Sequence, residues 1–276
     1  MILFRTRDLP PLHRGFAREL AEIRGERFAC VVDERCGEVD TAPWPKVSLT
    51  VPACERLSLY CPDDVGWRCG DYGLYLARAA FPDEPFFWLI EPDVRFGGGG
   101  AAAFFDVFRS DTEIDLLVAD LRRADRTYFW EFMVAARNLP VYRCIFPLVR
   151  VSARAIDYLL AKRVLLSRNR RRRRDWPNDE SFVATLLENN PDMVCRDLND
   201  FGPTLYDETT LSFWKPLDGD KLRMRDDRVT IYHPVLFGGD YRAKMERVEA
   251  PQPDRRLPNR IRRRLIREVN KRTRWQ

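Results

Sequence analysis

From residue 28 onward, short apolar runs that stop at acidic residues alternate with stretches of helical period. Phe28-Ala-Cys-Val-Val32 is β-branched, ends at Asp33-Glu34, and reads as the first core strand. A second run, Val47-Ser-Leu-Thr-Val51, lies between prolines. In Tyr72 to Phe81 the residues Leu74, Tyr75, Arg78 and Phe81 recur at helical spacing, with Asp71 as N-cap and Pro82 as stop. Phe86-Phe-Trp-Leu-Ile90 predicts a strand that finishes at Glu91-Pro92-Asp93, since proline cannot continue a ladder.

After the glycines 97–100 the pattern predicts a helix over 101–108, a strand over Ile114 to Val118 closed by Asp120, and a strand over 142–151. Ser152 then caps a helix over 153–166, and Asn178 caps another over 179–188. Beyond Asp192 the chain is loop-rich until Val229-Thr-Ile-Tyr-His233-Pro. Repeated strand-then-helix units predict an α/β fold with a mostly parallel sheet flanked by helices. The expected organisation is one domain over 1–249, then a Pro-rich hinge and a basic amphipathic C-terminal helix over 250–276. In that helix Ile261, Leu265, Ile266 and Val269 share one stripe.

Composition supports a globular core. Hydrophobic residues are 45% of the 276 and aromatics 12%, too many for a disordered chain. The seven cysteines are scattered without C-x-x-C pairs, which argues against a disulfide scaffold or structural zinc. No apolar stretch reaches the roughly 18 residues of a spanning helix. Charge enters after Met1-Ile-Leu-Phe4, unlike a secretory signal, so the expected location is the cytoplasm, peripheral at the inner face of the membrane if the basic tail docks there. The net charge of +5 conceals an arginine run over 168–174 and a basic tail, both suited to an anionic partner.

The acids at predicted strand ends are the candidate chemistry. Ligands of open α/β sheets bind beyond the carboxyl ends of the strands, and Asp33, Glu91, Asp93 and Asp120 stand at such ends. Oxygen ligands there suit a hard divalent cation and a diphosphate. Glu91 and Asp93 alternate along extended chain and so project to one side. Asp33 is placed to approach a base or ribose.

Phe86-Phe-Trp-Leu-Ile-Glu-Pro-Asp-Val-Arg-Phe96 resembles the acidic motif of glycosyltransferases of the GT-A fold, and its Trp-x-x-Glu-Pro-Asp-Val core is similar to that of fungal mannosyltransferases. The resemblance spans about residues 28 to 235, and its sharp part is this motif. It implies a Rossmann-like GT-A fold and transfer of a sugar from a UDP- or GDP-linked donor to a glycan or lipid-linked acceptor. It also implies Mn2+ or Mg2+ bound by Glu91 and Asp93, with Glu91-x-Asp93 in place of D-x-D. A late histidine on the metal or diphosphate corresponds to His233, and an acid at a later helix start, acting as base or on the acceptor, to Asp179 or Glu180. Asp71 corresponds to a nucleotide contact near a helix start. Arg170, Arg171 and Arg172, with Trp176, lie just before that acid, where a charged acceptor would arrive.

Each residue has a plainer role open to it. Glu91 and Asp93 suit a solvated strand end, and Asp179 and Glu180 suit the first turn of a helix, where the dipole favours carboxylates. Asp71 suits an N-cap, Asp33 a turn, and His233 the surface. Two other functions remain: a basic nucleic-acid-binding protein without catalysis, contacting phosphates through the arginine run and tail, and a catalytically inactive glycosyltransferase-like scaffold. No nucleic-acid motif is visible, and nucleic acid is not the expected partner.

Overall fold

A computed structural model describes residues 1–125, 128, 139–168, 176–225 and 227–250. Residues 170–172 of the arginine run, the hinge beyond Ala250 and the basic C-terminal helix lie outside these residues. The strands are β1 (Ile2–Thr6), β2 (Phe28–Asp33), β3 (Lys46–Leu49), β4 (Phe86–Ile90), β5 (Arg95–Gly97), β6 (Leu116–Arg123), β7 (Tyr142–Ser152), β8 (Cys195–Asp197), β9 (Leu217–Asp218), β10 (Thr230–Tyr232) and β11 (Val235–Leu236). The helices are α1 (Pro11–Ala21), α2 (Val51–Arg56), α3 (Val65–Arg68), α4 (Asp71–Ala80), α5 (Gly100–Val107), α6 (Ala153–Arg168), α7 (Asp179–Glu188) and α8 (Gly238–Glu249).

The sheet has seven strands among the described residues, in the order β3-β2-β1-β4-β7-β6-β8. Strand β7 runs antiparallel to β4 and β6, and every other pair is parallel. This is the mixed, mostly parallel α/β sheet the pattern predicts. Successive side chains of a strand face opposite ways. Leu3, Val31, Leu89 and Val149 therefore join one core with Tyr72 and Tyr75 of α4, Ile156 of α6 and Phe182 of α7. Ile2, Phe4, Val32, Trp88 and Ile90 join the other with Phe16 of α1 and Phe104 of α5.

Chain order fixes where a ligand crevice opens. From β1 the chain runs outward through β2 to β3, then returns through α4 to set β4 on the other flank of β1. Strand order reverses between β1 and β4, with α1 and α4 on opposite faces, and beyond the carboxyl ends of two such strands is where open α/β sheets form their ligand crevice.

Several expectations need correction. The first core strand is β1, in the middle of the sheet, not Phe28 to Val32. Val51 starts a helix, because Thr50 accepts the Ala53 N–H at 3.2 Å as an N-cap. The N-cap of α4 is Gly70, and Asp71 lies inside the first turn. Strand β6 continues past Asp120, a residue at φ 54° within a register irregularity, because Arg122 and Arg143 neutralise its carboxylate. Asn178 and Ser152 cap α7 and α6 as expected, accepting from Ser181 at 3.3 Å and Ala155 at 3.2 Å.

Candidate active site at the carboxyl ends of the central strands

Two short strands bring the acidic strand end and the late histidine together. After β4 the turn Glu91-Pro-Asp93 leads into β5, which pairs antiparallel with β10 so that Arg95 faces Tyr232. That register sets the next residue, His233, beside Val94 and Asp93. The Val235 N–H donates to the Asp93 carbonyl at 2.8 Å and fixes the crossing. As a result His233 Nε2 stands 3.5 Å from Asp93 Oδ2.

Asp93 Oδ1 and His233 Nδ1 are buried and have no hydrogen-bond partner among the described residues. Burial pushes the Asp93 carboxyl up, but the charge and hydrogen bond of His233 more than offset this and hold it below its ordinary value. For His233, burial favours the neutral ring and the facing carboxylate outweighs it, so its pKa lies above the ordinary value.

Glu91 is turned elsewhere. Its Oε1 is paired with Arg5 Nη1, from the last turn of β1 toward the crevice, and Arg5 Nη2 donates to the Gly66 carbonyl. Burial pushes the Glu91 carboxyl up, Arg5 opposes that, and the nearby Asp93 charge reinforces it, leaving a raised pKa. Arg5 is only 11% exposed; burial works against its charge, and Glu91 and Asp179 outweigh that.

Asp179 is the third corner. A methyl group placed on Gly70 would stand 2.7 Å from Asp179 Oδ2 and 2.7 Å from Arg5 Nη1, so any side chain there has to displace one of these two groups. The Gly70 N–H donates to Asp179 Oδ2 at 2.7 Å, and the Glu180 N–H to Oδ1 at 2.8 Å. Asp179 is 5% exposed; burial raises its carboxyl and Arg5 only partly opposes it, giving a pKa of about 7. Glu180, the other acid of this helix start, takes a hydrogen bond from Asn178 at 3.1 Å and another from Tyr128 at 3.5 Å. Burial, with the Asp179 charge behind it, pushes Glu180 well above the ordinary range.

The remaining candidates sit apart from this corner. Asp33 ends β2 on the same edge, but Arg35 forks across both of its oxygens at 2.7 Å. Burial raises Asp33 and this fork outweighs it, keeping its pKa low. Asp71 is fully buried, with Arg163 on both oxygens and the Tyr75 hydroxyl at 2.8 Å, which leaves it no face toward a nucleotide. Trp176 is 6% exposed and packs in the core against Tyr60 and Arg163, not on the surface where an acceptor would meet it. Arg170, Arg171 and Arg172 lie outside the described residues. The site residues that sequence reasoning missed are Arg5 and Gly70. The short apolar run Met1-Ile-Leu-Phe4 was the available signal, because a strand there brings Arg5 to the carboxyl edge.

Whether a divalent cation fits can be judged on the donors present. Among the described residues no group of three or more His, Cys, Asp or Glu side chains converges on one point. Asp93 and His233 do converge, and their 3.5 Å separation is near the roughly 3 Å between adjacent ligands of an octahedral ion. Magnesium-like ions commonly take one or two protein ligands and complete their shell with waters and substrate phosphates. Asp93 with His233 fits that pattern, while Glu91 is held by Arg5.

No protein-family model matches the chain, and no curated protein matches it. Among solved structures it is similar to a glycosyltransferase involved in the glycosylation of the major capsid of PBCV-1. That pair shares 12% identity, with 71% of this chain and 81% of the other covered and a TM-score of 0.37. It is also similar to the galactosyltransferase LgtC in complex with donor and acceptor sugar analogs, at 10% identity, 70% and 72% coverage and a TM-score of 0.43. Mouse xyloside xylosyltransferase 1 gives 11% identity, 71% and 83% coverage and a TM-score of 0.38.

Proposed function

We propose that this chain transfers a glycosyl group from a UDP- or GDP-linked sugar to a glycan or lipid-linked acceptor. The observation that carries the reading is the convergence of Asp93 with His233 beside the Arg5–Glu91 pair and Asp179, at the point where strand order reverses. Support also comes from the likeness of the Glu91-Pro-Asp93 segment to the acidic motif of nucleotide-sugar enzymes. In this reading Asp93 and His233 hold Mn2+ or Mg2+ together with the donor diphosphate. The ion, when bound, neutralises charge on the departing diphosphate, a contribution of about several kcal/mol.

The chain's own residues supply the rest. Arg5 keeps a fixed positive charge at the β1 end, pairs with Glu91, and adds to the field that favours an anionic leaving group. Asp179 is buried with its pKa raised to about 7, which brings its ionised form, able to take a proton from an acceptor hydroxyl, within the neutral range. Glu180, whose carboxyl burial pushes well above the ordinary range, stands beside Asp179 on the acceptor side with Asn178 and Tyr128 donating to it. The reading needs no role for the arginine run, and no described residue favours the nucleic-acid alternative.

The test is a thermal-shift series with UDP- and GDP-sugars, with and without Mn2+. A ligand that binds only the folded state raises its melting temperature. The reading predicts a shift with at least one nucleotide sugar that requires the cation. Shifts with none of them, or shifts indifferent to the cation, contradict it.

A further inference from the structure

The largest fully buried side chain among the described residues is that of Arg163, a cation that no step above uses. It lies on α6 at 0% exposure. Its Nε donates to Asp71 Oδ2 at 2.7 Å and its Nη2 to Asp71 Oδ1 at 3.1 Å. The third arm, Nη1, donates to the Pro177 carbonyl at 2.9 Å, and the guanidinium lies 3.8 Å from the centre of the Phe182 ring. Removing both charges of such a pair from water is costly, and well-packed apolar replacements often serve stability as well or better. Fold stability alone therefore gives little reason for a forked cation here.

Its contacts form a closed ring. Asp71 follows Gly70, whose N–H grips Asp179 Oδ2. Pro177 precedes Asn178, the N-cap that leads directly to Asp179. Arg163 thus bolts together the two backbone segments that meet at Asp179: the one that supplies its hydrogen-bond donor and the one that carries it. A planar fork donating to three acceptor atoms on two residues fixes direction as well as distance, which a lysine ammonium does not.

We propose that Arg163 and Asp71 are a positioning pair for Asp179: through Gly70 and Pro177 they set where the Asp179 carboxylate stands relative to Arg5 and the crevice. The proposal rests on the reading of Asp179 as the acceptor-side carboxylate. Neither residue of the pair touches substrate.

Single loss of either charge strands the other in the core, so the informative variants are Arg163→Lys, which keeps the charge and loses the fork, and the neutral pair Arg163→Met with Asp71→Asn. Each is compared with wild type in three readings: melting temperature, turnover of the nucleotide sugar found in the thermal-shift series, and titration of the Asp179 carboxyl by carbon NMR, assigned with Asp179→Asn. The expected result is a folded protein with unchanged donor KM, a kcat lower by roughly tenfold to a hundredfold, and a displaced Asp179 titration in both variants. Wild-type kcat and wild-type titration in the folded variants overturn the proposal. So does a loss of kcat, donor binding and melting temperature together while the Asp179 titration stays in place, because that is a structural role only. If wild type binds no nucleotide sugar at all, the functional reading fails, and the NMR titration alone still decides whether the pair positions Asp179.

Discussion

Arg5, from the end of β1, pairs with Glu91, from the end of β4, across the line where the strand order of the sheet reverses. The pair ties the ends of β1 and β4 together and sets a cation against a carboxylate that the Asp93 charge also acts on. Replacing Arg5 with Met leaves Glu91 and Asp179 without their shared cation. The expected cost is about 2 to 4 kcal/mol in urea unfolding, as for a largely buried pair that loses one partner. Adding Glu91→Gln should recover part of it, and a double variant as weak as the sum of the singles would show the two residues to be independent.

Asp179 gives stability a pH dependence of known sign. Its folded pKa of about 7 lies above the unfolded value of about 3.8, so the folded state holds a proton that the unfolded state has released. The contribution is therefore complete below about pH 4 and is lost as pH rises through 7, a total on the order of a few kcal/mol. Unfolding free energies of wild type and Asp179→Asn, measured from pH 5 to 8, should diverge across this window with wild type falling relative to the variant. Parallel curves would place the Asp179 carboxyl at an ordinary pKa.

Gly70 is constrained by neighbours, since its φ of −57° is open to any residue. Gly70→Ala drives a methyl against Asp179 and Arg5 and should cost about 1 to 3 kcal/mol by overpacking. Donor turnover should fall beyond what the lower stability explains, because the Asp179 carboxylate must move. A folded variant with unchanged kcat would remove Gly70 from the account of the site.

Asn178 caps α7 and sets where that helix begins. Asn178→Ala should lower stability by about 1 kcal/mol, read as a change in denaturation midpoint without a change in slope. No change would mean that the Arg163 contact to Pro177 suffices to start the helix.

Much of this fold could be read from local pattern. Runs such as Phe86 to Ile90 and Tyr142 to Val151 announce buried strands by composition, and the caps Ser152 and Asn178 announce helices by their side-chain oxygens. Strand β1 escaped notice because only four apolar residues precede Arg5, too short a run to stand out as a strand. The acids at strand ends were legible as types; their partners were not. That Arg163 occupies Asp71 and Arg5 occupies Glu91 depends on contacts between residues 92 and 86 positions apart. Trp176 shows the same limit, since an aromatic beside a basic run reads as surface until the core closes over it.

In the proposed site Asp93 and His233 would hold the cation and donor diphosphate, while Glu91 belongs to Arg5. The most direct measurement is calorimetric titration of Mn2+ with the nucleotide sugar into wild type, Asp93→Asn, His233→Ala and Glu91→Gln, each checked for folding. The account predicts that Asp93→Asn and His233→Ala weaken binding at least roughly tenfold, the scale of losing a charged ligand contact, and that Glu91→Gln weakens it much less. Binding that survives Asp93→Asn and disappears in Glu91→Gln would contradict it.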